Sequence, residues 1–317
     1  MATLNTLKQE LEKLQLPIYI SGHITPDNDS IGSSIALGRL LEKIGKEVFV
    51  LLEDYDQDIL DVHKNRHLVT NAISHTDYAF IALDLNEEYR LGRWETNFQS
   101  AKVKINIDHH QGNNTTADLI ISQPEKSSTC EIIYNLYSEF DQNYLDTEIC
   151  ESLYAGMMTD TGCFARRLST ETLTIAQDLI NHGINYEDII RRTYSHRTLY
   201  ELQALSMLVN NLQFDSFHYV VMDKTLPEFC SLTHNQIMKT IAEEIRKIEG
   251  IDVFILLIKD QDSLTAKCMS NISKNANIIA ELFGGGGHKG EAGFTTTEYT
   301  IDEIISSVKD FLTNEKN

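Results

Sequence analysis

The stretch Pro17-Ile18-Tyr19-Ile20-Ser21-Gly22-His23-Ile24-Thr25-Pro26-Asp27-Asn28-Asp29-Ser30 decides the fold. Its first four residues form an apolar run of strand type. The rest places one imidazole and two carboxylates on a tight, proline-containing turn that opens a helix. In an open α/β sheet, a turn from a buried strand into a helix is where the ligand site lies. Acidic and imidazole groups crowded there repel one another or stay unsatisfied unless something positive sits between them. Carboxylate and imidazole ligands suit a divalent ion such as Mn.

The pattern outward from this turn is α/β. Leu4 to Leu14 reads as an amphipathic helix, and Ser30 to Ile44 as a second that stops at Gly45. Strand signals follow at Glu47 to Leu52, Tyr78 to Leu85 and Lys102 to Ile107, with helical patterns at Ser128 to Phe140, Thr147 to Met158, Glu171 to Asn181 and Leu199 to Leu212. Continuous apolar strands alternating with helices predict a doubly wound, mostly parallel sheet covered on both faces. A second block starts near Phe214. It has strands at Phe217 to Met222, Asp252 to Ile258 and Leu264 to Ser270, and helices at Asn235 to Ile248, Asn277 to Phe283 and Ile301 to Leu312. The expected organisation is a catalytic α/β domain over 1–195, a helical linker over 196–214 and a smaller α/β domain over 215–317. The second domain carries the glycine-rich loop Gly284-Gly285-Gly286-Gly287-His288.

Composition excludes several classes. The chain has 317 residues and a net charge of −20, which opposes gripping of long double-stranded nucleic acid through basic surface. No apolar run approaches the roughly 20 residues that span a bilayer, and the N-terminus lacks a secretory layout. The five cysteines are scattered and form no C-x-x-C pair, which opposes a disulfide framework and favours a reduced cytoplasm. Nothing marks an interface, so a homodimer is expected only because dimers are common.

Acidic and imidazole residues recur at element ends in the first block. Asp84 closes Phe80-Ile81-Ala82-Leu83, Asp108-His109-His110 closes Val103 to Ile107, and Asp160 ends the run before Thr161-Gly162. An Asp at such a position also caps helices and forms turns. In a doubly wound sheet, however, the carboxyl ends of the strands meet at one crevice. His23, Asp27, Asp29, Asp84, His109 and Asp160 together would supply ligands for two metals about 3.5–4 Å apart. In the second block, consecutive glycines let backbone N–H groups approach a phosphate closely, with His288 as a neighbouring donor.

These segments resemble the four motifs of the DHH phosphoesterases, and Gly284 to His288 with Ala292-Gly293 resembles the signature of the DHH-associated C-terminal domain. The resemblance covers nearly the whole chain. It points to the oligoribonuclease (nano-RNase) and pAp phosphatase branch, which includes cyclic-di-AMP and pApA phosphodiesterases. It implies that His23, Asp27 and Asp84 hold one Mn ion and that Asp29, Asp84, His109 and Asp160 hold a second, with Asp84 bridging. It further implies that Asp108 orients an imidazole, that His110 contacts the phosphoryl group, and that Gly285, Gly286, Gly287 and His288 bind substrate. The chain departs from the pattern at Met269, where an Arg usually grips phosphate, and at Cys163, where an Arg is frequent. Lys267, and Arg166 or Arg167, are the candidate replacements, and Glu291 adds an acid beside the glycines. The expected activity is Mn-dependent hydrolysis of nano-RNA, linear dinucleotides or pAp. The rivals are a family II-like inorganic pyrophosphatase, a longer-substrate exonuclease, and a slow nucleotide sensor that Met269 would allow.

Overall fold

In the computed structural model, residues 2–194, 199–224, 226, 244–245, 247–261, 263–270 and 275–314 are described, with Glu201 and His288 described for the backbone alone. They fall into two compact units, Met1–His196 and Arg197–Asn317.

The first unit runs α1 (Leu4–Lys13), β1 (Ile18–Ser21), α2 (Asn28–Lys43), β2 (Val48–Leu51), α3 (Gln57–Leu60), β3 (Val69–Thr70), β4 (Ala79–Leu83), α4 (Glu95–Ser100), β5 (Val103–Asp108) and β6 (Leu119–Ser122). Four helices follow: α5 (Thr129–Phe140), α6 (Thr147–Asp160), α7 (Thr170–Asn181) and α8 (Tyr186–Thr193). The strands pair in the order β3-β2-β1-β4-β5-β6, all parallel. The central strands are largely apolar because both faces are covered. Ile18, Ile20, Ile81 and Ile105 join Leu7, Ile31, Ile35, Leu136 and Leu153 of the helices on one side. Tyr19, Leu51 and Phe80 pack with Leu91, Trp94 and Phe98 on the other. Burying each such side chain contributes about 1.5–3 kcal/mol before entropy is counted. Successive strands are added on one side of β1 and then, from β4, on the other. This switch point opens a crevice at the carboxyl ends of β1 and β4.

The second unit contains α9 (Leu199–Asn210), β7 (Gln213–Phe214), β8 (His218–Asp223), β9 (Val253–Lys259), β10 (Leu264–Ser270), α10 (Ala276–Glu281), β11 (Gly286–His288), β12 (Glu291–Thr296) and α11 (Ile301–Asn314). Its sheet has the order β11-β12-β10-β9-β8-β7. Only β8 and β9 pair in parallel; the other neighbours are antiparallel.

Several expectations change here. The helix read as a linker places Ala204 and Leu208 in a core with Val220, Met222, Phe254, Leu256 and Met269, so it belongs to the second unit. Strand β6 and helix α8 are additions to the reading from sequence. The helix expected over Asn235 to Ile248 lies largely outside the described residues, as does Cys230. Glycines expected as an open loop include a strand, since Gly286, Gly287 and His288 pair with Gly293, Ala292 and Glu291. Gly287 is required by that pairing: it has φ +143°, and a Cβ there would lie 2.6 Å from Ala292 Cα.

Candidate metal centre

Three turns of the first unit converge at the switch point. The β1–α2 turn ends at Asp27, whose Oδ1 accepts from the backbone N–H groups of Asp29 and Ser30 (3.0 and 3.1 Å) and so caps α2. The cap therefore coexists with the metal-ligand role expected of Asp27. Asp29 lies in the first turn of the same helix and is fully buried. Its Oδ2 and Oδ1 accept from Thr129 and Cys130 N–H (2.7 and 2.8 Å) at the start of α5. Each carboxylate oxygen keeps a second lone pair for a further partner. Helix α6 comes close to Asp29 because residue 156 is glycine; a Cβ there would meet Cys130 Sγ at 2.3 Å and Asp29 Cα at 3.0 Å.

Asp84 follows β4 in a left-handed conformation, φ 58°, that is uncommon outside glycine. Its carboxylate is the hub of the site. Oδ2 lies 3.5 Å from His23 Nε2, and Oδ1 lies 3.5 Å from His109 Nε2 and 3.7 Å from His110 Nδ1. The hydroxyl of Thr129 donates to the same Oδ1 (3.2 Å). His109 Nε2 also reaches Asp160 (3.3 Å) and Asp29 (3.9 Å).

The rings of His23 and His109 are aimed by backbone carbonyls. His23 Nδ1 donates to Ile24 (2.8 Å) and His109 Nδ1 donates to Lys126 (3.3 Å), which leaves each Nε2 turned toward the carboxylates. This is the arrangement that fixes the tautomer of a ligating histidine. His110 Nδ1 instead donates to Asp108 Oδ1 (2.7 Å), and Asp108 is fully buried.

Electrostatics show what the cluster lacks. Burial, with the Asp27 and Asp160 charges opposing those of His110 and His109, raises the Asp84 carboxyl to about 7. Burial, then Asp84 and Asp160, pushes Asp29 well above the usual carboxylate range. Burial acts against a charged His109, yet Asp160, Asp84 and Asp29 raise its imidazole overall. Asp108 goes the other way: burial would raise it, but the His110 hydrogen bond and charge hold it below its ordinary value. The buried acids thus lack positive charge where they meet. The donor atoms fit divalent cations, because three groups, His23–Asp27–Asp84, Asp29–His109–Asp160 and Asp84–His109–His110, each gather theirs within 4.8 Å. All six candidate ligands therefore come together, with Asp84 shared between two groups.

The candidate substrate contacts change more. Arg167, not Arg166, donates to Asp160, through Nη2 to the backbone carbonyl (2.7 Å) and to Oδ2 (2.9 Å). Arg166 instead folds over Gly162. The intervening turn has Cys163, Phe164 and Arg167 at positive φ, a geometry that residue order alone does not reveal. Lys267 is paired with Glu291, and Met269 is a core residue only 1 % exposed. Gly285, Gly286 and Gly287 lie beside and within β11, and the side chain of His288 is outside the described residues. The reading from sequence also missed Thr129, the Lys126 carbonyl and His63. His63 is fully buried, with Nε2 3.2 Å from Asn28 Oδ1. A Ser-Ser-Thr run before a helix signals capping but not a contact to a carboxylate distant in sequence.

Residues 17–157 match the model of the DHH family, N-terminal domain, and residues 223–314 match that of the DHHA1 domain. The bifunctional oligoribonuclease and PAP phosphatase NrnA of Thermus thermophilus is 26% identical over 320 residues, covering 96% of this chain and 92% of its own length. An exopolyphosphatase-related protein from Bacteroides fragilis superposes with a TM-score of 0.87 at 23% identity, covering 99% of this chain and 96% of that one. RecJ from Thermus thermophilus, solved in complex with Mn2+, superposes at 0.56 with 14% identity over 98% of this chain and 54% of its own.

Proposed function

This chain belongs to the DHH family of phosphoesterases and carries a DHHA1 domain, and on that premise we propose that it hydrolyses short nucleotides at a centre of two Mn2+ ions. The observation that carries this reading is Asp84, whose two oxygens face His23 on one side and His109 and His110 on the other. His23, Asp27 and Asp84 would hold one ion, and Asp29, Asp84, His109 and Asp160 the other. When bound, the pair supplies a hydroxide at neutral pH and offsets charge on the phosphoryl oxygens. His110, oriented by Asp108, donates to the phosphoryl group. Mn2+ is preferred because the donors are imidazole and carboxylate, and RecJ of Thermus thermophilus, which shares the fold, is known with Mn2+ bound.

The substrates are nano-RNA, pApA and pAp, in keeping with the oligoribonuclease and PAP phosphatase activities named for the Thermus relative. The first domain, 1–195, carries the chemistry. In the second, the backbone of Gly285 to Gly287 and His288 bind a substrate phosphate. Lys267, held by Glu291, contributes weakly. A cytoplasmic location accords with the free thiols Cys130, Cys150, Cys163 and Cys268 and with the finding that no described helix is long and apolar enough to cross a membrane.

The test is hydrolysis with Mn2+ of pApA, pAp, cyclic di-AMP and pyrophosphate side by side. AMP released from pApA or pAp is the expected result. Phosphate from pyrophosphate alone would replace this reading with a pyrophosphatase. No turnover of any of the four by metal-loaded protein would favour a nucleotide sensor.

A further inference from the structure

Glu131 is a buried carboxylate, 1 % exposed, that the proposed chemistry does not use. It lies in the first turn of α5, where Ser128 Oγ accepts from its backbone N–H (3.1 Å). Its Oε2 accepts from the Ser127 N–H (3.2 Å), the Ser127 hydroxyl (2.5 Å) and the Thr172 hydroxyl (2.8 Å). Its Oε1 lies 3.5 Å from Lys126 Nζ. A buried charge costs several kcal/mol unless it is matched in this way. The match ties down the backbone of residues 126–128 just ahead of the helix.

That short segment serves three of the candidate ligands. The Lys126 carbonyl accepts from His109 Nδ1, the Thr129 hydroxyl donates to Asp84, and the N–H groups of Thr129 and Cys130 donate to Asp29. We infer that Glu131 is a positioning residue of the metal centre: its carboxylate fixes residues 126–130, and these aim His109, Asp84 and Asp29. This rests on the metal reading above. A purely structural role, tying α5 to α7 through Thr172, would leave metal affinity untouched.

The experiment is calorimetric titration of Mn2+ into the full-length protein and its Glu131→Ala and Glu131→Gln variants, with the fold checked by circular dichroism. Loss of such a support costs about 10- to 100-fold in metal affinity, the range expected for Glu131→Ala. Glu131→Gln keeps one acceptor oxygen but turns an amide N–H2 toward Ser127 or Lys126, so its dissociation constant rises by about three- to tenfold. Folded variants that bind within about twofold of the parent protein would overturn the inference, even if their thermal midpoints fall. If Glu131→Ala does not fold, Glu131→Gln decides by the same threshold. A parent protein that binds no Mn2+ would overturn the metal reading itself, and this inference with it.

Discussion

The two units treat their charged residues in opposite ways. In the first, Asp29, Asp84 and His109 are buried together with too little positive charge between them. In the second, Lys267 and Glu291 neutralise each other across neighbouring strands, and the glycine segment offers backbone alone. Charge that a fold leaves unbalanced marks where an outside partner belongs. Charge that it balances internally marks structure. The same distinction separates the candidate metal ligands, whose donor atoms gather together, from Lys267, which is already paired with Glu291.

The largest expected effect comes from the hub. Asp84→Asn removes the charge shared by two donor groups, and turnover of pApA should fall about a thousandfold. Calorimetry should show at least one Mn2+ site lost; full occupancy and activity would break the contrast between the units.

Removing metal should expose the imbalance directly. With Asp84, Asp29 and His109 all raised, this cluster binds more protons in the metal-stripped folded state than in the unfolded chain, whereas His63, which burial lowers to about 3, binds fewer. The cluster's share of the stability therefore falls as pH rises from about 4 to about 7, against the opposite slope of His63. Saturating Mn2+ should flatten the slope. The same pH dependence of the urea midpoint in EDTA and in saturating Mn2+ would contradict it.

In the second unit the expected effects are of packing. Gly287→Ala strains a positive φ and drives a Cβ into Ala292, for a loss of about 2 kcal/mol. Gly286→Ala, where nothing lies within 4 Å, should cost under about 1 kcal/mol. Comparable losses at both positions would deny the strand pairing. The smallest effect is that of Glu291→Gln, which breaks a partly exposed ion pair and should lower stability by about 0.5 kcal/mol or less without changing Mn2+ affinity. By releasing Lys267, it should also tighten substrate binding slightly, read as a lower KM for pApA.

Much of the candidate centre was legible because its residues stand at the starts and ends of elements that the sequence marks strongly. Asp84 closes a strand of five buried residues, and Asp160 ends a helix. The supporting groups were not legible, because they are backbone atoms. The Lys126 carbonyl and the N–H groups of Thr129 and Cys130 carry no residue signature. That Arg167 reaches Asp160 was not legible either, because successive left-handed residues turn the chain after Gly162. The strand Gly286–His288 was read as a loop because glycine has no side-chain alternation to display; only pairing with β12 reveals it.

The packing of α6 against α2 has a consequence for the chain as it is made. Asp27 and Asp29 are synthesised early, whereas Asp160 stands at the last residue of α6. On the ribosome, domains form from the N-terminus onward, so a nascent chain that has not yet finished α6 has its acids in place without the last of them. It must hold them protonated or in water. On the proposed ligand sets, the ion that needs Asp160 is thus the later one to be captured, whereas the set of His23, Asp27 and Asp84 is complete before α6 is made.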